Sequence, residues 1–569
     1  MKKIKKLIKL FEIYKLDGYL IPKNDEYFNE YISPSKDRLK FISNFSGSAG
    51  FAIILKNKNY LFVDGRYTIQ AEIQSGSNFK IITIPNKFPK DVFKNKKKLK
   101  IGYDPKLFSE KNLNFLFDSE KIILNPINKN LIDILWLKRP KESIKPFYQL
   151  TKKEVGESSE RKISKIKNVL LKNKVDYLLV TAPENVAWIL NVRGYDSEFS
   201  PIPNARLLIN YNGEIDLFSN PKKTIRLKKK ISKKINFYDE NIIEKKLKQL
   251  KKSKVWLDSI TCCIFYKNLL KKNNIIHEKM DPIYFFKSIK NNTEIINMKK
   301  IHVFDGVALT KFLFWLKKNF KKKKITEIYA QNKLEKFRKM NKQYKSPSFN
   351  TISGSGPNSA IIHYKASTKS NRTLKNGDLY LVDSGGQYTF GTTDVTRTIS
   401  LNNNSKIIKE IYTRILKGHI AVSNYKIKKN TNGSEIDKNA RKFLKEINLD
   451  YPHGTGHGVG YFLNVHEGPQ SISKNGKVNL KTGMVISNEP GYYKKGHFGI
   501  RIENLVYIKN NKFEELTVAP IEKNLINKKI LNKKEIKWLN NYHAKVKKNL
   551  FRFMNVEEKT KLINACSPI

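Results

Sequence analysis

Residues 378–398 read DLYLVDSGGQYTFGTTDVTRT. The apolar run from Leu379 to Val382 has the look of a buried strand, and Asp383 ends it just before Gly385-Gly386. Asp394 follows in a second β-prone run, TTDVTRTIS. A turn near Tyr388-Thr389 would fold the two runs into a hairpin and set the two carboxylates opposite each other, with Cβ atoms ~5 Å apart. Two acids at that distance repel unless a cation lies between them.

The same logic repeats downstream. Residues 487–504 read SNEPGYYKKGHFGIRIEN, so Glu489 and Glu503 bracket a second predicted hairpin that turns near Gly496. Between the two hairpins lies HGTGHGVG, with His453 and His457. Its glycine density argues against a helix, and so against zinc binding by two histidines one helical turn apart. Asp383, Asp394, His457, Glu489 and Glu503 together form a donor set suited to two divalent cations that share bridging carboxylates. His466, in NVHEGP, and His363, in IIHYKA, lie near these frames. His302, His419 and His543 fall on predicted helices and read as structural, while His277 and His497 read as loop residues.

A chain of 569 residues implies several domains. The net charge of +59 invites a polyanion-binding reading. The excess is nearly all lysine, however, and it is scattered. A drift in composition on solvated faces accounts for it, which argues against nucleic acid as a partner. Cys262, Cys263 and Cys566 make neither a CxxC pair nor a zinc spacing, which fits a reduced, cytoplasmic setting. The last four residues, CSPI, match a prenylation box only superficially. No run approaches the ~18 apolar residues of a membrane span. Ile4, Leu7, Ile8, Phe11 and Tyr14 fall at helical spacing, predicting an amphipathic helix packed on its own domain.

The apolar runs DGYLIP, GFAIIL, YLFVDG and FKIITI predict an α/β domain over 1–143. A helix from Lys152 to Asn173, then VDYLLVT, a helical ENVAWILNV, RLLIN and EIDLFS, predict a second of similar plan over 144–290, without a clean internal repeat. Residues 291–523 hold all the site candidates. They open with a helix from Thr293 to Asn319, buried through Ile295, Met298, Ile301, Phe304, Val307, Phe312 and Trp315, and a second over Thr326–Met340. Residues 524–569 form a Lys- and Asn-rich tail with one helical piece, NKKEIKWLNNYHAKV.

HGTGHGVG, NVHEGP, SNEPGYY, GIRIEN, VDSGG and TTDVTRT resemble the metallopeptidases of the pita-bread fold. DRLKFISNFSGSAGFAIIL and LFVDGRYTIQA resemble the first domain of that family's long, three-domain Xaa-Pro aminopeptidase branch, ENVAWILNVRGYD its second, and WLNNYH its C-terminal segment. The resemblance implies two creatinase-type N-terminal α/β domains followed by a pita-bread catalytic domain. It implies Asp383 on one metal, Asp394 and Glu503 bridging, His457 and Glu489 on the second metal, and Mn²⁺ as the usual ion. His363, His453 and His466 match outer histidines that contact substrate, with Glu489 moving a proton, and Arg501 matches a residue that orients a ligand carboxylate. The implied reaction is hydrolysis of the bond before a proline at the second position of a peptide, in a homodimer. Prolidase, which cleaves dipeptides, is the nearest rival. A metal-less pita-bread module that binds proteins or polyanions is the rival of another class.

Overall fold

The computed structural model describes residues 2–94, 97–117, 120–228, 234–402 and 404–569. They fall into two compact units, Met1–Lys152 with Glu157–Tyr284, and Lys153–Gly156 with Phe285–Ile569.

The first unit holds two six-stranded sheets of identical strand plan. One runs Lys80–Ile84, Asn59–Asp64, Phe51–Leu55, Gly18–Pro22, Leu99–Tyr103, Ile122–Pro126. The other runs Ile235–Tyr238, Ile215–Phe218, Arg206–Asn210, Tyr177–Val180, Lys254–Leu257, Ile275–Glu278. In both, the fourth strand of the order, Gly18–Pro22 or Tyr177–Val180, pairs antiparallel on one side and parallel on the other. Alternate residues of the first sheet feed two cores. Tyr19, Ile21, Ala52 and Ile54 face one cluster, and Leu20, Phe51 and Ile53 face the other. Helix Lys2–Ile13 buries Ile4, Leu7 and Phe11 in the first of these cores, as its periodicity predicts.

Two expectations change here. The helix predicted over Lys152–Asn173 is two helices, Lys152–Val155 and Ser159–Lys172. Gly156 breaks it with φ +76°, and Ser158 caps the second helix through Arg161 N. His277 lies in a strand, opposite Trp256, rather than in a loop.

The second unit begins with helix Asn292–Asn319, whose capping box pairs Asn291 with Glu294. Met298, Ile301 and Phe312 are buried on it, while Ile295, Phe304, Val307 and Trp315 are half-buried. His302, Asp305 and Gly306 are buried too, so the hidden face is wider than the apolar stripe. Helix Glu327–Lys339 follows, capped by Thr326. A three-stranded sheet has Leu379–Ser384 at its centre between Ile352–Ser355 and Val395–Ser400. A five-stranded sheet orders Glu467–Ile472, Gly456–Gly458, Val485–Asn488, Asn504–Lys509 and Lys512–Glu515. The C-terminal segment carries helix Lys533–Leu550 and a second helix, Val556–Ala565, which the single predicted piece omits. Arg397 ties these parts together. It donates to the carbonyls of Glu503, Ala519 and Pro520 and to Asn504 Oδ1, at 2.6–2.9 Å, and meets Tyr542 Oη at 2.9 Å.

Candidate metal centre

The first hairpin forms, with its tip at 389–390 beyond the Tyr388/Gly391 pair. Its register differs from the simple expectation. Asp383 pairs with Thr396, and Ser384 with Val395. Asp394 therefore stands two residues along from the position opposite Asp383. It is on the same face but diagonal, a spacing of roughly 7–8 Å between Cα atoms. The turn falls one residue later than Tyr388-Thr389, and with the pairing unbroken along the hairpin this shifts the partner of Asp383 by two residues.

The second hairpin keeps the predicted register. Asn488 pairs with Asn504, and Gly491 with Arg501, so Glu489 stands opposite Glu503. Gly496 makes the tip with φ +76°. His457 sits on Gly456–Gly458, where a Cβ at Gly456 would lie 1.8 Å from Ser487 O. Its Nδ1 lies 2.9 Å from Gly458 O. With Nδ1 engaged in that bond, Nε2 is the nitrogen that faces inward, and it would offer a lone pair to a cation once its own proton leaves. Nε2 is 3.4 Å from both Asp394 Oδ2 and Glu489 Oε1.

One ligand atom each from Asp394, His457 and Glu503 lies within 4.8 Å of the others. Asp383 enters through Arg501, whose Nη2 is 2.5 Å from Asp383 Oδ2. Among the described residues, the buried atoms Asp383 Oδ1 and Asp394 Oδ1 take no hydrogen bond. Burial pushes the Asp383 carboxyl up to about 7; Arg501 opposes this, and Asp394 and Glu489 add to it. Glu503 is raised well above the usual range by burial and then by Asp394, Glu489 and Asp383. Glu489 is raised by burial, against His457 and Arg501. Burial lowers the affinity of His457 for a proton, but Asp394 and Glu489 outweigh it and hold the imidazole at about 9. Buried acids that crowd and repel, two lone oxygens and an inward imidazole nitrogen are what divalent cations would neutralise. The donor set fits them.

The outer histidines fall in different places. The His466 ring lies edge-on to His457, centroids 4.3 Å apart. His453 accepts at Nε2 from the Tyr493 hydroxyl at 2.9 Å, its Nδ1 being 2.8 Å from Gly454 O. Tyr493 in turn takes a hydrogen bond from Arg501 Nη1 at 2.5 Å. His363 sits half-buried in a turn of the loop after Gly356–Ala360. Sequence reasoning missed Tyr493 and Thr396. Thr396 accepts from Arg501 Nε at 3.1 Å and donates to Glu503 Oε2 at 2.6 Å. The signal was present, since Tyr493 lies inside SNEPGYY and Thr396 beside Asp394.

His302, His419 and His543 are buried on helices, as predicted. Burial holds them neutral, at about 4, 3 and 3. His497 lies in the hairpin turn. The three cysteines are free and buried. No helix among the described residues is long and apolar enough to cross a membrane.

Two acid-bearing hairpins, an inward imidazole and a glycine-rich frame define a metal-dependent hydrolase of dinuclear type. Residues 296–510 match metallopeptidase family M24, and 509–569 the C-terminal region of that family. Residues 3–117 and 138–294 match creatinase/prolidase N-terminal domains. Xaa-Pro aminopeptidase 1 of Dictyostelium discoideum is 36% identical, with 99% of this chain and 95% of that protein covered. The X-prolyl aminopeptidase of Caenorhabditis elegans, described as a cytosolic enzyme with a di-nuclear active site, superposes with TM-score 0.93 at 30% identity. That match covers 100% of this chain and 99% of the other. The prolidase of Pyrococcus horikoshii reaches TM-score 0.54 at 28% identity and covers 64% of this chain and 99% of its own. The chain belongs to metallopeptidase family M24, with two creatinase-type α/β domains ahead of a pita-bread catalytic domain.

Proposed function

We propose that the chain is an Xaa-Pro aminopeptidase that hydrolyses the bond between the first residue of a peptide and a proline at the second position. The observation that carries this reading is the convergence of both hairpins and His457 Nε2 on one buried point, in a chain that matches an X-prolyl aminopeptidase from end to end. In this reading Asp383 would hold one metal, His457 and Glu489 the other, and Asp394 and Glu503 would be shared between them. Mn²⁺ suits so oxygen-rich a set. Bound there, two divalent cations supply a water acidic enough to be hydroxide at neutral pH.

The protein's own groups do the rest. Glu489 accepts the proton of the attacking water and passes it to the leaving proline nitrogen. His466 and His363 hydrogen-bond the carbonyl oxygen as it gains charge, and His453 binds substrate. Arg501 fixes the carboxylate of Asp383. Proline offers a tertiary amide without an N–H, which ordinary peptidases handle poorly. The enzyme would be a cytoplasmic homodimer, by analogy with its relatives.

Prolidase is the second reading, because its catalytic parts are alike. It is less well supported, since the prolidase match leaves over a third of this chain without a counterpart. A Mn²⁺ assay on an Xaa-Pro-Xaa tripeptide and an Xaa-Pro dipeptide separates them. Release of the first residue from the tripeptide is expected, and cleavage of the dipeptide alone would favour prolidase. No cleavage with any divalent metal, together with tight polyanion binding, would favour a binding module.

A further inference from the structure

Glu327 is a fully buried carboxylate that no step above uses. It opens helix Glu327–Lys339, and its two oxygens gather a single loop. Oε1 accepts the backbone N–H of Ser355 at 2.8 Å, and Oε2 that of Arg372 at 2.9 Å. These are the two ends of the segment that carries His363. In the middle, Asn358 Nδ2 lies 3.1 Å from both oxygens. The Tyr364 hydroxyl lies 2.7 Å from Oε2, and Tyr364 directly follows His363.

Between Ser355 and Leu379 the described chain has one short 3₁₀ turn, Gly356–Ala360, as its regular element. The loop's shape therefore rests on side-chain anchors more than on a ladder. A buried carboxylate with no donors would be costly, and this one has several, drawn from both ends and the centre of one loop. The loop in turn meets the second hairpin. Gly499 N donates to Ser359 Oγ at 2.7 Å, and a Cβ at Gly499 would lie 1.9 Å from Ser359 O. Arg501, which holds Asp383, is two residues farther along that strand.

We infer that Glu327 is a positioning residue: it sets the His363 loop against the second hairpin, and so sets His363 toward the substrate. This rests on the reading of His363 as a substrate-facing group. The test compares Glu327→Gln, His363→Ala and the double variant as full-length, Mn²⁺-loaded enzyme. It measures kcat and KM on an Xaa-Pro-Xaa tripeptide, metal content and near-UV circular dichroism. Glu327→Gln is expected to lower kcat roughly 10- to 100-fold with metal content unchanged, and to add little once His363 is already alanine. A full multiplicative loss in the double variant would overturn the proposal, as would wild-type kcat in Glu327→Gln. Full kcat in His363→Ala would instead overturn the reading of His363 on which the proposal stands. Should Glu327→Gln fail to fold, Tyr364→Phe removes one anchor and keeps the carboxylate. A severalfold loss in kcat, absent in the His363→Ala background, is then expected, and no change would overturn the proposal.

Discussion

The two acid-bearing hairpins carry equal cargo in unequal registers. In the second, Glu489 and Glu503 stand opposite each other. In the first, Asp383 and Asp394 are diagonal, and each keeps one buried oxygen without a hydrogen bond among the described residues. Their supports differ as well. Arg501, on the second hairpin, holds Asp383 of the first, and Thr396, on the first, holds Glu503 of the second. Arg397 of the first takes the carbonyl of Glu503. Glu489 alone leans on its own hairpin, through Ser487. The site is thus cross-braced at Asp383 and Glu503, each oriented by a residue of the other hairpin.

The comparison breaks most severely at Asp394, where both metals would meet. Asp394→Ala is expected to abolish turnover and metal retention while leaving circular dichroism native. Normal turnover with two metals per chain would remove Asp394 from the bridge. Arg397→Ala comes next, through stability. Its buried partners lose their donor, a loss of roughly 3 kcal/mol or more if several carbonyls stay unsatisfied. Urea unfolding measures it, and a loss under ~1 kcal/mol would mean the clamp is replaceable.

The pH dependence of the metal-free protein follows from the same crowding. Asp383 and His457 are both raised, to about 7 and about 9, from ordinary values of 3.8 and 6.5. A raised folded-state value favours the folded protein below the unfolded value, and that advantage fades as pH climbs through the folded one. Buried His302, His419 and His543, held down at about 4, 3 and 3, act in the opposite sense below about pH 7. The metal-free melting temperature should therefore fall between about pH 7.5 and pH 9 as His457 loses its proton, and added Mn²⁺ should raise it most at the alkaline end. A metal-free protein more stable at about pH 9 than at about pH 7.5 would contradict the crowding.

Much of this was legible because strand periodicity and glycine placement are local. Both hairpins, the first-sheet strands and the helix at the N-terminus follow from runs such as LYLV and FAIIL. The diagonal offset of Asp394 was not, because moving the turn by one residue shifts the pairing by two, and the run 388–391 does not say where the turn falls. Gly156, whose φ splits a helix, and His277, which pairs in a strand, show the same limit. The identical strand order of the first two sheets left no repeat in the sequence, since pairing order constrains burial pattern rather than residue identity. Tyr493 and Thr396 gain meaning only when one hairpin is laid against the other.

The finest test of cross-bracing sets two hydroxyls against each other. Thr396 accepts from Arg501 Nε and donates to Glu503, while Ser487 accepts from His457 N at 2.9 Å and donates to Glu489 at 3.1 Å. Each relays one N–H to one carboxylate, but Thr396 holds an acid of the other hairpin, whereas Ser487 takes its N–H from the strand of His457 and holds Glu489 of its own hairpin. Losing a cross-brace frees Glu503 and removes a partner from Arg501, which also holds Asp383, so two acids loosen together. Thr396→Val is therefore expected to weaken Mn²⁺ binding by roughly 10- to 100-fold. Ser487→Ala leaves the backbone ladder Val485–Asn488 to hold Glu489 in place, and should cost only severalfold. Calorimetric Mn²⁺ titration of both variants ranks them. Equal losses would mean that a carboxylate needs its hydroxyl wherever that hydroxyl comes from, and that bracing between hairpins adds nothing.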